Sequence, residues 1–68
     1  MLKITYLVNG SPRLIEFKNA QSFITAQLLE VPALEDFYTI DSVELEGQTL
    51  TELKGKRIEA LYQFLSNN

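Results

Sequence analysis

Asn9-Gly10, set between the alternating runs LKITYLV and SPRLIEF, constrains this chain more than any other feature. Asn-Gly is the dipeptide of the two-residue type I′ hairpin turn, because both central residues need positive φ. Taking Asn9 and Gly10 as the loop sets a register: Val8 faces Ser11, Leu7 faces Pro12, Tyr6 faces Arg13, Thr5 faces Leu14 and Ile4 faces Ile15. Lys3 then meets Glu16, and Leu2 meets Phe17. One face collects Leu2, Ile4, Tyr6, Val8, Ile15 and Phe17; the other collects Lys3, Thr5, Leu7, Pro12, Leu14, Glu16 and Lys18. A one-residue slip would mix core and solvent sets, so the pattern itself supports the pairing.

Pro12 adds a topological expectation. In this register Val8 and Ser11 exchange hydrogen bonds, whereas Leu7 and Pro12 do not. The N–H that proline lacks would therefore point away from the first strand, which is tolerable where no further strand pairs. The second strand is predicted to lie at a sheet edge. A four-residue loop, Asn9 to Pro12, is the competing geometry.

Asn19 can cap a helix that starts at Ala20. Ala20, Phe23, Ile24, Gln27, Leu28 and Val31 fall on one stripe at helical spacing, and Pro32 restricts Val31, so the helix is predicted to end near Glu30. Leu29 lies opposite the stripe as an ordinary exposed leucine. Residues 32–41, PALEDFYTID, read either as a short helical turn or as an irregular loop, with Leu34, Phe37 and Tyr38 tucked against one end of the core. Val43 and Leu45 alternate with Ser42, Glu44 and Glu46 as a strand with one face buried. Glu46-Gly47 then acts as a second two-residue turn, pairing Leu45 with Gln48, Glu44 with Thr49 and Val43 with Leu50. A strand over 48–51, a turn over 52–55 and a helix over 56–66 complete the chain. Ile58, Leu61, Tyr62 and Leu65 form the helix stripe, Phe64 lies on its flank, and Ser66, Asn67 and Asn68 fray. A rival start near Thr49 or Thr51 would use the capping box of Thr49 and Glu52, at a cost of ~1 kcal/mol for Gly55 inside a helix.

The order ββαββα describes one small α+β domain over residues 1–68, with both helices on one face of a four-stranded sheet. The sheet is either mixed, in the β-grasp-like order 2-1-4-3, or wholly antiparallel, in the order 2-1-3-4. Both place the second strand at an edge.

No motif names a chemistry. With neither cysteine nor histidine, the chain offers no disulfide framework, no thiolate or imidazole metal site and no histidine base for a serine or threonine nucleophile. Glu44 with Glu46, or Glu35 with Asp36, are the nearest carboxylate pairs, but the first pair sits on the solvent face of a strand and the second are sequence neighbours. Gly10, Gly47 and Gly55 have neither dinucleotide-fold nor P-loop spacing, and the carboxylates lack calcium-loop spacing. No catalytic residue, cofactor or metal is therefore expected. The net charge of −3 argues against nucleic acid, and no run approaches the ~20 apolar residues of a membrane span. A cytoplasmic setting is the default for such a chain.

YLVNG, the Phe23–Leu28 helix followed by VP, DFYTI, VELEG and ALYQFL together resemble a family of short uncharacterised streptococcal-type bacterial proteins, known as a domain of unknown function. The resemblance covers nearly the whole chain. It implies a small cytoplasmic bacterial protein and carries over no functional residue.

One surface stands out. Leu7, Pro12 and Leu14 cluster on the outer hairpin face beside an unpaired edge, a pattern of docking or self-association surfaces. The first expectation is a non-enzymatic protein-interaction module, with an unidentified protein partner or weak homodimerisation. Two alternatives stand beside it. One is a small-ligand or enzymatic site using Tyr6, Tyr38, Tyr62 or a carboxylate; the other is weak nucleic-acid binding through Lys54, Lys56 and Arg57.

Overall fold

The computed structural model describes residues 1–67. The chain forms β1 (Leu2–Val8), β2 (Ser11–Phe17), α1 (Ala20–Gln27), β3 (Thr39–Leu45), β4 (Gln48–Thr49), a 3-10 turn at Thr51–Leu53, and α2 (Ile58–Ser66). The four strands make one antiparallel sheet in the order β2-β1-β3-β4. Of the two strand orders the sequence allowed, this is the antiparallel one; the mixed, β-grasp-like order is not adopted.

The hairpin register is the one required by the Asn9-Gly10 turn, from Val8 opposite Ser11 to Leu2 opposite Phe17. Asn9 has φ 52° and Gly10 φ 82°, both in the left-handed region, so this is a two-residue primed turn and not the wider loop. Glu46 (φ 51°) and Gly47 (φ 81°) repeat the device between β3 and β4, where Leu45 faces Gln48 and Glu44 faces Thr49. The Leu50 N–H continues that pairing to the Val43 carbonyl at 2.8 Å. β4 itself is shorter than the predicted 48–51, because the chain tightens at Thr51 into the 3-10 turn.

β3 starts earlier than the alternation of Val43 and Leu45 indicated. Thr5 pairs with Ser42 but the next residue, Tyr6, pairs with Ile40, so Asp41 is the extra residue of a β-bulge. The bulge turns Ile40 into the core although strict alternation from Val43 would turn it out. Past the bulge, β3 takes a new neighbour. The Ile40 N–H donates to the Lys56 carbonyl (2.7 Å), the Gly55 N–H donates to the Ile40 carbonyl (2.9 Å), and Thr39 bridges to Arg57.

α1 is capped as expected: the Asn19 side-chain oxygen accepts from the Ser22 N–H at 2.8 Å and from the Ser22 hydroxyl at 3.0 Å. It ends at Gln27, a turn short of the predicted Glu30, and Leu28 and Val31 are exposed rather than part of the core stripe. The cause is Gln27. Its carboxamide donates to the Leu34 carbonyl (2.8 Å) and accepts from the Leu34 N–H (2.9 Å), pinning the returning chain. Leu34 is thereby seated in the core in place of Leu28 and Val31. Of residues 32–41, 32–38 follow the irregular-loop alternative and the rest already belong to β3. Phe37 corrects a further expectation: it is 65% exposed, touching Tyr38 edge-to-face at 5.2 Å, while Tyr38 stacks on Tyr6 at 5.4 Å.

The core joins Leu2, Ile4, Ile40 and Val43 of the sheet to Phe23, Leu34, Leu53, Ile58, Leu61 and Leu65. Leu53, unplaced by the sequence pattern, is buried by the 3-10 turn. α2 begins at Ile58, close to the preferred start and far from the rival one at Thr49 or Thr51. Ser66 is still helical and the Asn67 N–H bonds to the Gln63 carbonyl at 3.1 Å, so neither frays as expected; Asn68 lies outside the described residues.

Candidate association surface

The sheet has one face covered by the core cluster and one open face, and Leu7, Pro12 and Leu14 lie on the open one. Across the open face, Lys3 lies between Glu16 and Glu44, Thr5 between Leu14 and Ser42, and Leu7 between Pro12 and Thr39. The Lys3 ammonium and Glu44 carboxylate are 4.0 Å apart and both well exposed, a pairing that contributes little. The apolar members gather toward the hairpin tip. Leu7 is half-buried, Pro12 is exposed and Leu14 is 60% exposed. Leu7 also lines a hollow of about 290 Å³ with Val8, Asn9, Gly10, Phe37, Tyr38 and Thr39, which brings the exposed Phe37 ring to the same end of the sheet. Phe37 is a surface group that its sequence does not announce, because DFYTI gives no sign of which aromatic turns out.

The edges differ. β3 is closed along its flank by β4 at one end and by Gly55–Arg57 at the other. Among the described residues β2 pairs with β1 alone. In its register Ser11, Arg13, Ile15 and Phe17 turn their backbone groups to β1, so the Pro12 carbonyl and both groups of Leu14 and Glu16 face outward. Pro12 is thus at an edge, as its missing N–H required.

The residues of the other two expectations are dispersed. Tyr6 and Tyr38 stack on each other, whereas Tyr62 lines a separate hollow of about 270 Å³ with Gln27, Leu28, Asp36, Glu59 and Gln63. Glu44 lies on the open sheet face and Glu46 in the following turn, where it bonds the Met1 amino group at 2.9 Å. Among the described residues no polar or charged side chain is buried, and no three carboxylates converge to hold a metal ion. Lys54, Lys56 and Arg57 are exposed and interspersed with acids: Glu52 shares a hollow with Lys56, and Glu59 shares one with Lys56 and Arg57. The start of α2 is not an open anion cradle either. The Ile58 N–H donates to the Tyr38 carbonyl (3.0 Å), the Glu59 N–H to the Asp36 carbonyl (3.2 Å) and the Ala60 N–H to the Arg57 carbonyl (2.9 Å).

The profile of a domain of unknown function, DUF4649, matches residues 2–68. No curated protein matches the chain, and no solved structure matches it. Among the described residues no helix is long and apolar enough to cross a membrane.

Proposed function

The chain belongs to the DUF4649 family, a domain of unknown function. We propose that it is a non-enzymatic interaction module that self-associates weakly through the β2 edge. The observation that carries this reading is a coincidence in one place. The outward N–H and C=O groups of Leu14 and Glu16 lie beside exposed Leu14 and Pro12 and half-buried Leu7. An unpaired edge supplies main-chain hydrogen bonds, and adjoining apolar side chains supply area that water leaves on association. A single strand edge buries less than the ~1,200–2,000 Å² of stable complexes, so the association is weak and concentration-dependent. The streptococcal-type source and the cytoplasmic setting expected from the sequence complete the proposal, which places the module inside a bacterial cell.

Sedimentation equilibrium from micromolar to millimolar protein tests it. The wild type is expected to rise from the 7.8 kDa monomer toward twice that mass. Leu14→Glu is expected to weaken association at least about tenfold, since a carboxylate must then be desolvated at the junction, while its folding stability stays within ~0.5 kcal/mol because Leu14 is exposed. A wild type that remains monomeric at millimolar concentration would contradict the reading.

A further inference from the structure

The hydrogen-bonding and charge pattern of β2 restricts how a second copy can add to it, and this step rests on the self-association just proposed. A two-fold axis beside the edge makes the two β2 strands antiparallel, and outward groups must meet outward groups. The axes that leave at least three residues of overlap within the strand pass through Pro12, Arg13, Leu14, Ile15 or Glu16, and the one at Pro12 sets two prolines opposite each other with no N–H on either side. An axis at Arg13 sets Leu14 opposite Pro12 of the second copy and the two guanidinium groups opposite each other. An axis at Leu14 sets Glu16 opposite Pro12 of the second copy. Both aim a carbonyl at a proline ring that has no N–H to give. An axis at Glu16 sets the two Glu16 carboxylates directly opposite, where like charges destabilise.

The axis at Ile15 meets none of these obstacles. We infer that a second copy pairs with β2 about a two-fold axis at Ile15, with Leu14 opposite Glu16 of the second copy and the reverse, joining the two sheets into one. Both outward groups of Leu14 and of Glu16 are then satisfied, and Pro12 lies beyond the paired segment. Ile15, half-buried in one copy, meets Ile15 of the second copy on the core side of the sheet. On the same side Arg13 falls opposite Phe17 of the second copy, where a guanidinium over a half-buried ring is favourable. Pro12 therefore does not prevent edge pairing; together with the Glu16 charge it limits the pairing to one register.

The chain has no cysteine, so single-cysteine variants report the register directly. Ile15 and its counterpart would form a non-hydrogen-bonded pair with Cα atoms about 4.5 Å apart, within the ~4.4–6.8 Å span of a disulfide. Leu14 and Leu14 of the second copy would be diagonal, about 7–8 Å apart, at or beyond that limit. Under mild oxidation Ile15→Cys is expected to form a covalent dimer at least about tenfold faster than Leu14→Cys at the same concentration. A mixture of Leu14→Cys and Glu16→Cys, both at exposed positions, is expected to cross-link with each other faster than either does alone, which keeps the test valid if Ile15→Cys folds poorly. Leu14→Cys cross-linking fastest with itself would overturn the Ile15 axis while leaving self-association standing. A wild type that dimerises, with neither the Ile15→Cys variant nor the mixture cross-linking, would overturn both the axis and the use of this edge.

Discussion

Phe23→Ala is expected to cost about 3–5 kcal/mol and to leave the chain largely unfolded. Phe23 is fully buried on α1, packed edge-to-face on Phe17 with ring centroids 5.4 Å apart, and it belongs to the cluster that ties the helices to the sheet. A chain of 68 residues carries roughly 3–10 kcal/mol of stability in total, at the usual ~0.05–0.15 kcal/mol per residue. Truncating one large ring can therefore consume most of it. Phe37→Ala is the control with the same change in composition. Phe37 is 65% exposed and touches Tyr38 alone among the ring contacts of the described residues, so its loss is expected to cost about 1 kcal/mol or less. Urea denaturation followed by far-UV circular dichroism separates the two. Equal losses at Phe23 and Phe37 would mean that residues 28–38 fold back with the Phe37 ring inside the core, contradicting its exposure.

Gln27→Ala is expected to cost about 2 kcal/mol, concentrated in the segment after α1. It removes both partners of the Leu34 backbone, the donor to its carbonyl and the acceptor for its N–H, in a partly buried place. Each such group left unsatisfied costs ~1–3 kcal/mol where water cannot reach it, and partial burial puts the pair at the low end. Gln27→Glu sharpens the test, because an ionised carboxylate can accept from the Leu34 N–H but cannot donate to the Leu34 carbonyl. The protonated acid can do both, so the folded-state pKa in this variant is raised above the ~4.3 of a free glutamate. The recovered stability is fully present below ~4.3 and is lost as pH rises through the folded pKa. Measured relative to wild type, Gln27→Glu is expected to be more stable at pH 3 than at pH 7 by about 1 kcal/mol, the value of one hydrogen bond. No change between those pH values would contradict the pinning role of Gln27.

Local chemistry was legible in the sequence, and long-range closure was not. The hairpin register and its sheet-edge position follow from Asn9, Gly10 and Pro12, whose backbone preferences act within a few residues. The Glu46-Gly47 turn was readable for the same reason. Ile40 was hidden because a bulge at Asp41 breaks the period of two that alternation depends on. The early end of α1 was hidden because it is decided by a side chain reaching seven residues ahead, from Gln27 to Leu34, and helical spacing carries no trace of that contact. Strand order was open between two topologies, since both give the same local patterns. At the candidate site the same division holds. Leu7, Pro12 and Leu14 could be grouped from register alone. The closure of the β3 flank by Gly55–Arg57, which leaves β2 as the long unpaired edge among the described residues, depends on contacts between residues 15 to 18 positions apart.

Residue-resolved amide hydrogen exchange, run on dilute and on millimolar protein, tests whether a second copy covers the β2 edge. Leu14 and Glu16 should exchange quickly in dilute solution, because their N–H groups face away from β1, while Arg13 and Ile15 should be protected. At millimolar concentration Leu14 and Glu16 should slow selectively and in step with the rise in mass. Protection of Leu14 and Glu16 at the dilute limit, or exchange there that is unchanged at every concentration, would contradict a bare β2 edge that a second copy covers.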